Sequence, residues 1–200
     1  MDFVPGQTLE QMLDEKGQID WRQAAEWGMN ICKALAYLHG QRPPLVCRDL
    51  KPANIMIEAA TNVPKLIDFG IARRFTAQAG QTATGTPGYA PLEQWLGRTE
   101  PRSDIYALGA VLHALVSGKK PHAELARLQA AGLDVPAAMK QLFPPLDTLV
   151  PGLPPPFVQA VARATAYDVA DRYPDALSFG VALGEALVMS RARAVAAMQA

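Results

Sequence analysis

The stretch VCRDLKPANIMI, residues 46–57, places Arg48, Asp49, Lys51 and Asn54 in one short loop beside a proline and ahead of an apolar run. Charged loop residues ordinarily satisfy nothing but solvent. Here a carboxylate, an ammonium two positions on and a carboxamide five positions on share a loop that feeds the short strand NIMI. Four polar groups at fixed offsets point to chemistry rather than to solubility.

The next strand outward is KLID at 65–68, with Asn62 and Pro64 in the turn between the two. Asp68-Phe69-Gly70 stands at its end. Upstream, Asp20 is placed to cap a long helix reaching about His39, in which Ala24, Trp27, Ile31, Leu35 and Leu38 recur at helical spacing, and Gly40 ends it. Thr8 precedes a shorter helix carrying Leu9, Met12 and Leu13. Residues 1–4 read as the end of a strand broken by Pro5-Gly6. Downstream, residues 70–91 are rich in Gly, Thr, Ala and Gln with little periodicity, and a loop that long is functional or mobile. SDIYALGAVLHALVSG, 103–118, is apolar nearly all round and predicts a buried central helix capped by Ser103 or Asp104. A proline-rich loop is expected at 144–156, then amphipathic helices at 155–167 and 173–188, then a frayed helical tail.

The bulk numbers narrow the function class. Two hundred residues suit one domain or a large piece of one, and half of them are hydrophobic. Lys plus Arg and Asp plus Glu are 19 each, so no global basic field calls for nucleic acid. Cys32 and Cys47 form neither a disulfide nor a metal-ligand spacing, and a reducing, cytoplasmic setting is the natural default. The N-terminal residues lack the apolar core of a secretory signal, and no apolar stretch is long enough to span a bilayer. No internal repeat is present.

CRDLKPAN at 47–54, DFG at 68–70, GTPGYAPLEQ at 85–94, SDIYALG at 103–109 and DRYPDA at 171–176 occur in order. In this the chain resembles the C-terminal lobe of protein kinases, of the bacterial eukaryotic-like serine/threonine type, over residues 1 to about 189. The resemblance implies a mainly α fold of the α+β kinase family, a helical bundle with small β-hairpins at the catalytic cleft. It divides the chain into a hinge segment, 1–6, a C-lobe, 7–189, with catalytic loop 47–54 and activation segment 68–93, and a tail, 190–200.

Phosphoryl transfer asks a protein for positioned cations, charge neutralisation and an oriented hydroxyl. By the resemblance, Asp49 would accept or orient the substrate hydroxyl's proton. Lys51 would offset charge on the transferring phosphate, and its presence after the Asp is the serine/threonine pattern. Asn54 and Asp68 would hold Mg²⁺, or Mn²⁺ in its place. ATP would sit with its adenine on Met56 and against the backbone of Asp2 and Val4. Thr82 and Thr84 are candidate phosphorylation sites, with polar loop filler as the plain alternative. Arg48 would receive such a phosphate, and Arg73 is a second candidate or simply a solvated charge. Thr86 would contact Asp49 and Lys51 in the substrate-docking loop. Glu93 would pair with Arg172 to hold the segment to the helical lobe, and Asp104 would bond the backbone of the catalytic loop. Trp21, Trp27 and Trp95 read as packing residues. His39, His113 and His122 have no mutual metal or triad spacing and read as helix-end or surface residues.

The chain departs from the family pattern at three places. Cys47 stands where His is usual and would pack under Phe69 of Phe69-Gly70, loosening that coupling without removing the chemistry. Leu92 replaces a proline before Glu93. The 200 residues contain no Gly-rich phosphate loop, no strand lysine in a VAIK-like setting and no helix glutamate to pair with it, so the chain reads as beginning at the hinge with the N-lobe absent. The leading expectation is therefore the catalytic C-lobe of a serine/threonine kinase that acts on protein substrates, weak or inactive as the 200-residue chain. The alternatives are a stand-alone lobe serving as a pseudokinase or binding module, and a small-molecule phosphotransferase. The last typically lacks the GTPGYAP…E segment and the partner Arg172. The face that would meet an N-lobe is expected to expose apolar surface.

Overall fold

Strand β1 (Gly6–Thr8) runs straight into helix α1 (Leu9–Lys16), and Thr8 makes the join. Its Oγ1 accepts from Gln11 N at 3.2 Å while Gln11 Oε1 accepts from Thr8 N at 2.8 Å, a reciprocal capping box that satisfies two otherwise orphaned donors. This computed structural model describes residues 5–67, 73–74 and 85–198, with side chains over 5–67 and 85–192. Helix α2 (Trp21–His39) starts at Asp20, whose carboxylate accepts from Arg22 N and Gln23 N at 2.9 and 3.4 Å. Its buried stripe holds Ala24, Trp27, Ile31 and Leu35, the helical spacing read from the sequence.

The small β element follows. Strand β2 (Leu45–Val46) leads into the catalytic loop, a 3₁₀ turn at Pro52–Asn54 and strand β3 (Ile55–Glu58). Strand β4 (Pro64–Leu66) returns antiparallel, with Ile55 opposite Leu66. On the other edge of β3 lies β1, with Thr8 opposite Met56. Ile55 and Ile57 point into the core, so Met56 lies on the opposite sheet face. Strand β5 (Arg73–Arg74) pairs with β2, Val46 opposite Arg73.

The helical layers are built on α4 (Pro101–Ser117), in which every residue from Ser103 to Ser117 is buried. The helical turn α3 (Leu92–Trp95) precedes it, and α5 (Pro121–Ala130), α6 (Val135–Gln141), the turn α7 (Leu146–Leu149), α8 (Pro155–Ala164) and α9 (Ala176–Met198) follow. Helix α4 packs on α2 and α8, and α9 closes the other side of both. Gly109 permits the α4–α8 approach: a Cβ there would lie 2.8 Å from Ala164 Cβ and 2.9 Å from Thr165 Cγ2. Leu108, Leu112 and Leu115 are fully buried, and each such side chain contributes about 1.5–3 kcal/mol. A satellite cluster joins Tyr106 to Leu125, Leu128, Met139 and Leu142. The chain is thus mainly helical with a small antiparallel sheet, as the resemblance implied.

Four local expectations are corrected. The cap of α4 is Glu100, in a capping box with Ser103, because Pro101 with its fixed φ starts the helix two residues earlier; Asp104 is released for another task. The segment 144–156 is not all loop, since Leu146 is buried and draws 146–149 into a helical turn. His113 is not a surface residue but is 4 % exposed, its Nε2 2.9 Å from the Pro144 carbonyl and its ring edge-on to Phe143. Gly6 does not break the strand but lies in it, where a Cβ would strike the Ile57 carbonyl. Most of the hinge segment expected to expose apolar surface lies outside the described residues; among these, Leu177, Val181, Val188 and Met189 on α9 are exposed, as are Tyr37, Leu96 and Val135, with Val63 near the cleft strands. The tail expected at 190–200 continues α9 as helix to Met198.

Candidate active site

The loop after Val46 turns back on itself within three residues. Asp49 N donates to Cys47 O at 2.9 Å, and Arg48 between them sits at φ +65°. A non-glycine residue in that region is strained by about 1–3 kcal/mol and persists only where its surroundings over-determine it. Asp104 supplies much of that constraint from the first turn of α4. Its carboxylate is 1 % exposed and accepts from Cys47 N at 2.9 Å and Arg48 N at 3.1 Å. His39, the last residue of α2, completes the set with Nε2 2.8 Å from Asp104 Oδ2. Sequence reading put His39 at a helix end and gave it no partner; its partner lies 65 positions away, and no local pattern announces it.

The turn projects Asp49 into a compact polar cluster. Oδ1 accepts from Thr86 Oγ1 at 2.7 Å. Oδ2 faces Lys51 Nζ at 2.9 Å and accepts from Asn54 Nδ2 at 3.1 Å. Lys51 Nζ also donates to Thr86 Oγ1 at 3.0 Å, closing a ring of Asp49, Thr86 and Lys51. Asn54 Nδ2 donates in addition to the Asp49 carbonyl at 2.9 Å, so Asn54 Oδ1 is the atom free to face a cation. The 3₁₀ turn with Pro52 at its start sets this spacing, bringing residue 54 back beside residue 49. Cys47 takes no part as a nucleophile: burial, and then the Asp104 charge, push its thiol well above the ordinary range.

Beyond this cluster the segment 85–98 is fastened to the helices. Tyr89 N and Ala90 N donate to the Thr86 carbonyl, folding the GTPGY stretch into a tight turn. Glu93 meets Arg172 in a two-point pair, Nη1 to Oε1 at 2.6 Å and Nη2 to Oε2 at 3.2 Å, and also accepts from Ser103 Oγ at 2.9 Å. Arg172 is 2 % exposed and spends its other hydrogens on the carbonyls of Ala166, Tyr167 and Arg102, with its guanidinium 4.7 Å above the Tyr106 ring. Such saturation is what a buried charge requires.

The structure therefore brings Asp49, Lys51, Asn54 and Thr86 together, sets Cys47, Arg48 and Asp104 behind them, and keeps Glu93 and Arg172 on the helical side. Met56 is half-buried on the outer sheet face. Asp2, Val4, Asp68, Phe69, Gly70, Thr82 and Thr84 lie outside the described residues, and of Arg73 only the strand backbone is described. Among the described residues no three His, Cys, Asp or Glu side chains gather as a metal cluster. A groove of about 790 Å³ between α8 and α9, walled by Arg163, Tyr173, Val181 and Glu185, shares no residue with the Asp49 cluster.

The protein kinase domain family matches residues 1–154. The chain belongs to the protein kinase family. Within that family it is 36% identical over 192 residues to the serine/threonine-protein kinase PknL of Mycobacterium tuberculosis, covering 92% of this chain and 45% of PknL. It is 34% identical over 185 residues to the probable serine/threonine-protein kinase PknB of Bifidobacterium longum, covering 90% of this chain and 26% of that one. These relatives set this kinase-family chain among the bacterial, eukaryotic-like serine/threonine kinases, while it spans less than half of either relative's length. In fold it is similar to the crystal structure of the PknI kinase domain from Mycobacterium tuberculosis, with TM-score 0.67, 23% identity, and coverage of 93% of this chain and 64% of that one. A double mutant of the same domain gives TM-score 0.70 at 25% identity. No helix among the described residues is long and apolar enough to cross a membrane.

Proposed function

We propose that this chain carries the catalytic half of a serine/threonine protein kinase that transfers the γ-phosphate of ATP to Ser or Thr hydroxyls of proteins. The observation that supports it most is the Asp49 carboxylate, held by Thr86, Lys51 and Asn54 at 2.7–3.1 Å. A carboxylate has roughly four acceptor sites, and three committed donors leave one for a substrate hydroxyl. Asp49 orients that hydroxyl and takes its proton as the oxygen attacks the phosphorus. Lys51, already against Asp49 and Thr86, neutralises charge on the transferring phosphoryl group. Thr86 holds both in register.

The donor set suits Mg²⁺, a hard cation that prefers oxygen ligands. Asn54 Oδ1 and the Asp68 carboxylate would hold it, with Mn²⁺ as a substitute. A cation held there would supply positive charge against the nucleotide phosphates. Met56, on the sheet face away from the core, would support adenine, and the backbone of Asp2 and Val4 would bond its edge. Thr82 and Thr84 would be phosphorylated, with Arg48 as the receiving cation, and Phe69-Gly70 would couple the metal ligand to the catalytic loop. The setting is the cytoplasm, where ATP is supplied.

These 200 residues hold no Gly-rich loop and no lysine–glutamate pair for the phosphates, so the chain by itself transfers phosphate weakly or not at all. The test compares the 200-residue chain with the same chain extended at its N-terminus by an ATP-binding lobe from a serine/threonine kinase. Mg²⁺-dependent labelling of Ser or Thr by the extended form alone supports the proposal. Robust, Asp49-dependent transfer by the 200-residue chain overturns the dependence on an N-lobe. No transfer by either form, with protein binding retained, favours the pseudokinase or binding-module reading.

A further inference from the structure

Gln94 follows the ion-paired Glu93 on the turn α3 and is 2 % exposed. Its side-chain amide reaches across 46 positions and donates to the Arg48 carbonyl, with Nε2 to O at 2.5 Å. The acceptor is a carbonyl, so the contacting atom is the amide nitrogen rather than its oxygen. Arg48 is the central residue of the positive-φ turn that projects Asp49. Asp104 grips the amide side of that turn through the N–H groups of Cys47 and Arg48. Gln94 grips its carbonyl side.

The neighbourhood is shaped for this reach. Gly85, which opens the GTPGY stretch, has φ +147°, and a Cβ there would lie 2.5 Å from Gln94 Nε2 and 2.6 Å from Ala90 Cβ. A side chain at 85 would therefore expel the carboxamide. On the other side Glu93 is fixed to Arg172 and Ser103, so the backbone from which Gln94 projects is anchored to the helical core. A continuous chain of contacts runs from Arg172 through Glu93 and Gln94 to the Arg48 carbonyl and Asp49.

We propose that Gln94 is a positioning residue: by holding the Arg48 carbonyl it fixes the strained turn that aims Asp49, and it ties that aim to the seating of the segment that begins at Gly85. Its role in transfer rests on the kinase reading above. The anchoring itself does not, and this separates the two tests. Gln94→Met keeps the volume and removes the donor. Gln94→Glu removes the donor when ionised and restores one, the carboxyl O–H, when protonated.

The measurement is amide hydrogen exchange on the 200-residue chain, without nucleotide, expressed as protection relative to the unprotected rate. In Gln94→Met, protection of the Cys47, Arg48 and Asp49 amides falls by about tenfold, the effect of losing one buried hydrogen bond, while α8 is unchanged. In Gln94→Glu the same loss is present at neutral pH and reverses as the pH is lowered toward the carboxyl range, about 4.3 for an unburied glutamate and higher for a buried one. Should Gln94→Met fail to fold, the two pH arms of Gln94→Glu carry the comparison within one protein. Wild-type protection of the loop in Gln94→Met, an equal loss in α8, or a Gln94→Glu deficit that ignores pH each overturns the proposal. In the extended, ATP-binding form, Gln94→Met lowers kcat by about tenfold with little change in KM for ATP. An extended wild type that transfers no phosphate would sink the kinase reading and leave the exchange result standing.

Discussion

Replacing Arg172 by Met removes the guanidinium while keeping an unbranched apolar stem over the Tyr106 ring. Glu93 would then keep Ser103 Oγ as its remaining side-chain donor, in a site where the Arg172 and Glu93 side chains are only 1% and 12% exposed. Breaking a buried pair from one side costs about 3–5 kcal/mol. The carbonyls of Ala166, Tyr167 and Arg102 lose a charged donor as well, so the cost belongs at the upper end, about 4–5 kcal/mol. With a urea m-value near 2 kcal/mol/M, the unfolding midpoint falls by about 2 M. Glu93→Gln is milder, about 1–2 kcal/mol, because a carboxamide oxygen still accepts from Arg172 and Ser103. Since the residues touch, the double variant is less unstable than the sum of the singles by about 2 kcal/mol. A loss under about 1 kcal/mol for Arg172→Met, or strict additivity, would refute the reasoning that this pair anchors the segment.

Further outcomes follow from the same contacts. Thr86→Val removes the hydroxyl that bridges Asp49 and Lys51 and lowers kcat of the extended form by about tenfold to a hundredfold, while Thr86→Ser retains most of it; equal losses would exclude the bridging role. Burial holds the His113 imidazole below its ordinary 6.5, against the Pro144 carbonyl, which raises it, and with Lys119, which lowers it. The folded-state value is the lower one, so this contribution to stability is fully present above pH 6.5 and is lost as pH falls from there toward the folded-state value. Urea titrations of wild type and His113→Gln should therefore diverge on acidification, and parallel curves would contradict it. Burial raises the Cys32 thiol to about 12 and takes Cys47 higher still, so iodoacetamide should modify both only on unfolding. Labelling of Cys47 in the native chain at neutral pH would show the loop to be open.

What the sequence disclosed is what is local. Asp49, Lys51 and Asn54 lie within six residues, and their offsets express one turn and one 3₁₀ step. The caps at Thr8 and Asp20 are likewise three-residue events, and the apolar stripe of α2 is a periodicity. The core helix α4 was legible from its all-round apolar composition, but its start was not, because Pro101 at the first turn outweighs Ser103 and Asp104 as starting signals. The Glu93–Arg172 and Thr86–Asp49 contacts came from the resemblance to kinases rather than from any spacing. His39 and Gln94 escaped because each finds its partner through the tertiary fold, 65 and 46 positions away, and neither a helix-end histidine nor a loop-flanking glutamine looks unusual alone. His113 escaped for the related reason that its satisfying carbonyl lies on a different element.

The most direct test of the account is single-turnover phosphotransfer to a protein substrate by the form extended with an ATP-binding lobe, comparing wild type with Asp49→Asn. The carboxamide keeps one acceptor oxygen, enough for Thr86 on one side or for Lys51 and Asn54 on the other, and it is a far weaker proton acceptor, so the rate should fall by about 10²–10⁴-fold with nucleotide binding retained. A variant that transfers phosphate at the wild-type rate would show that the Asp49 cluster, however well ordered, is not where the chemistry occurs.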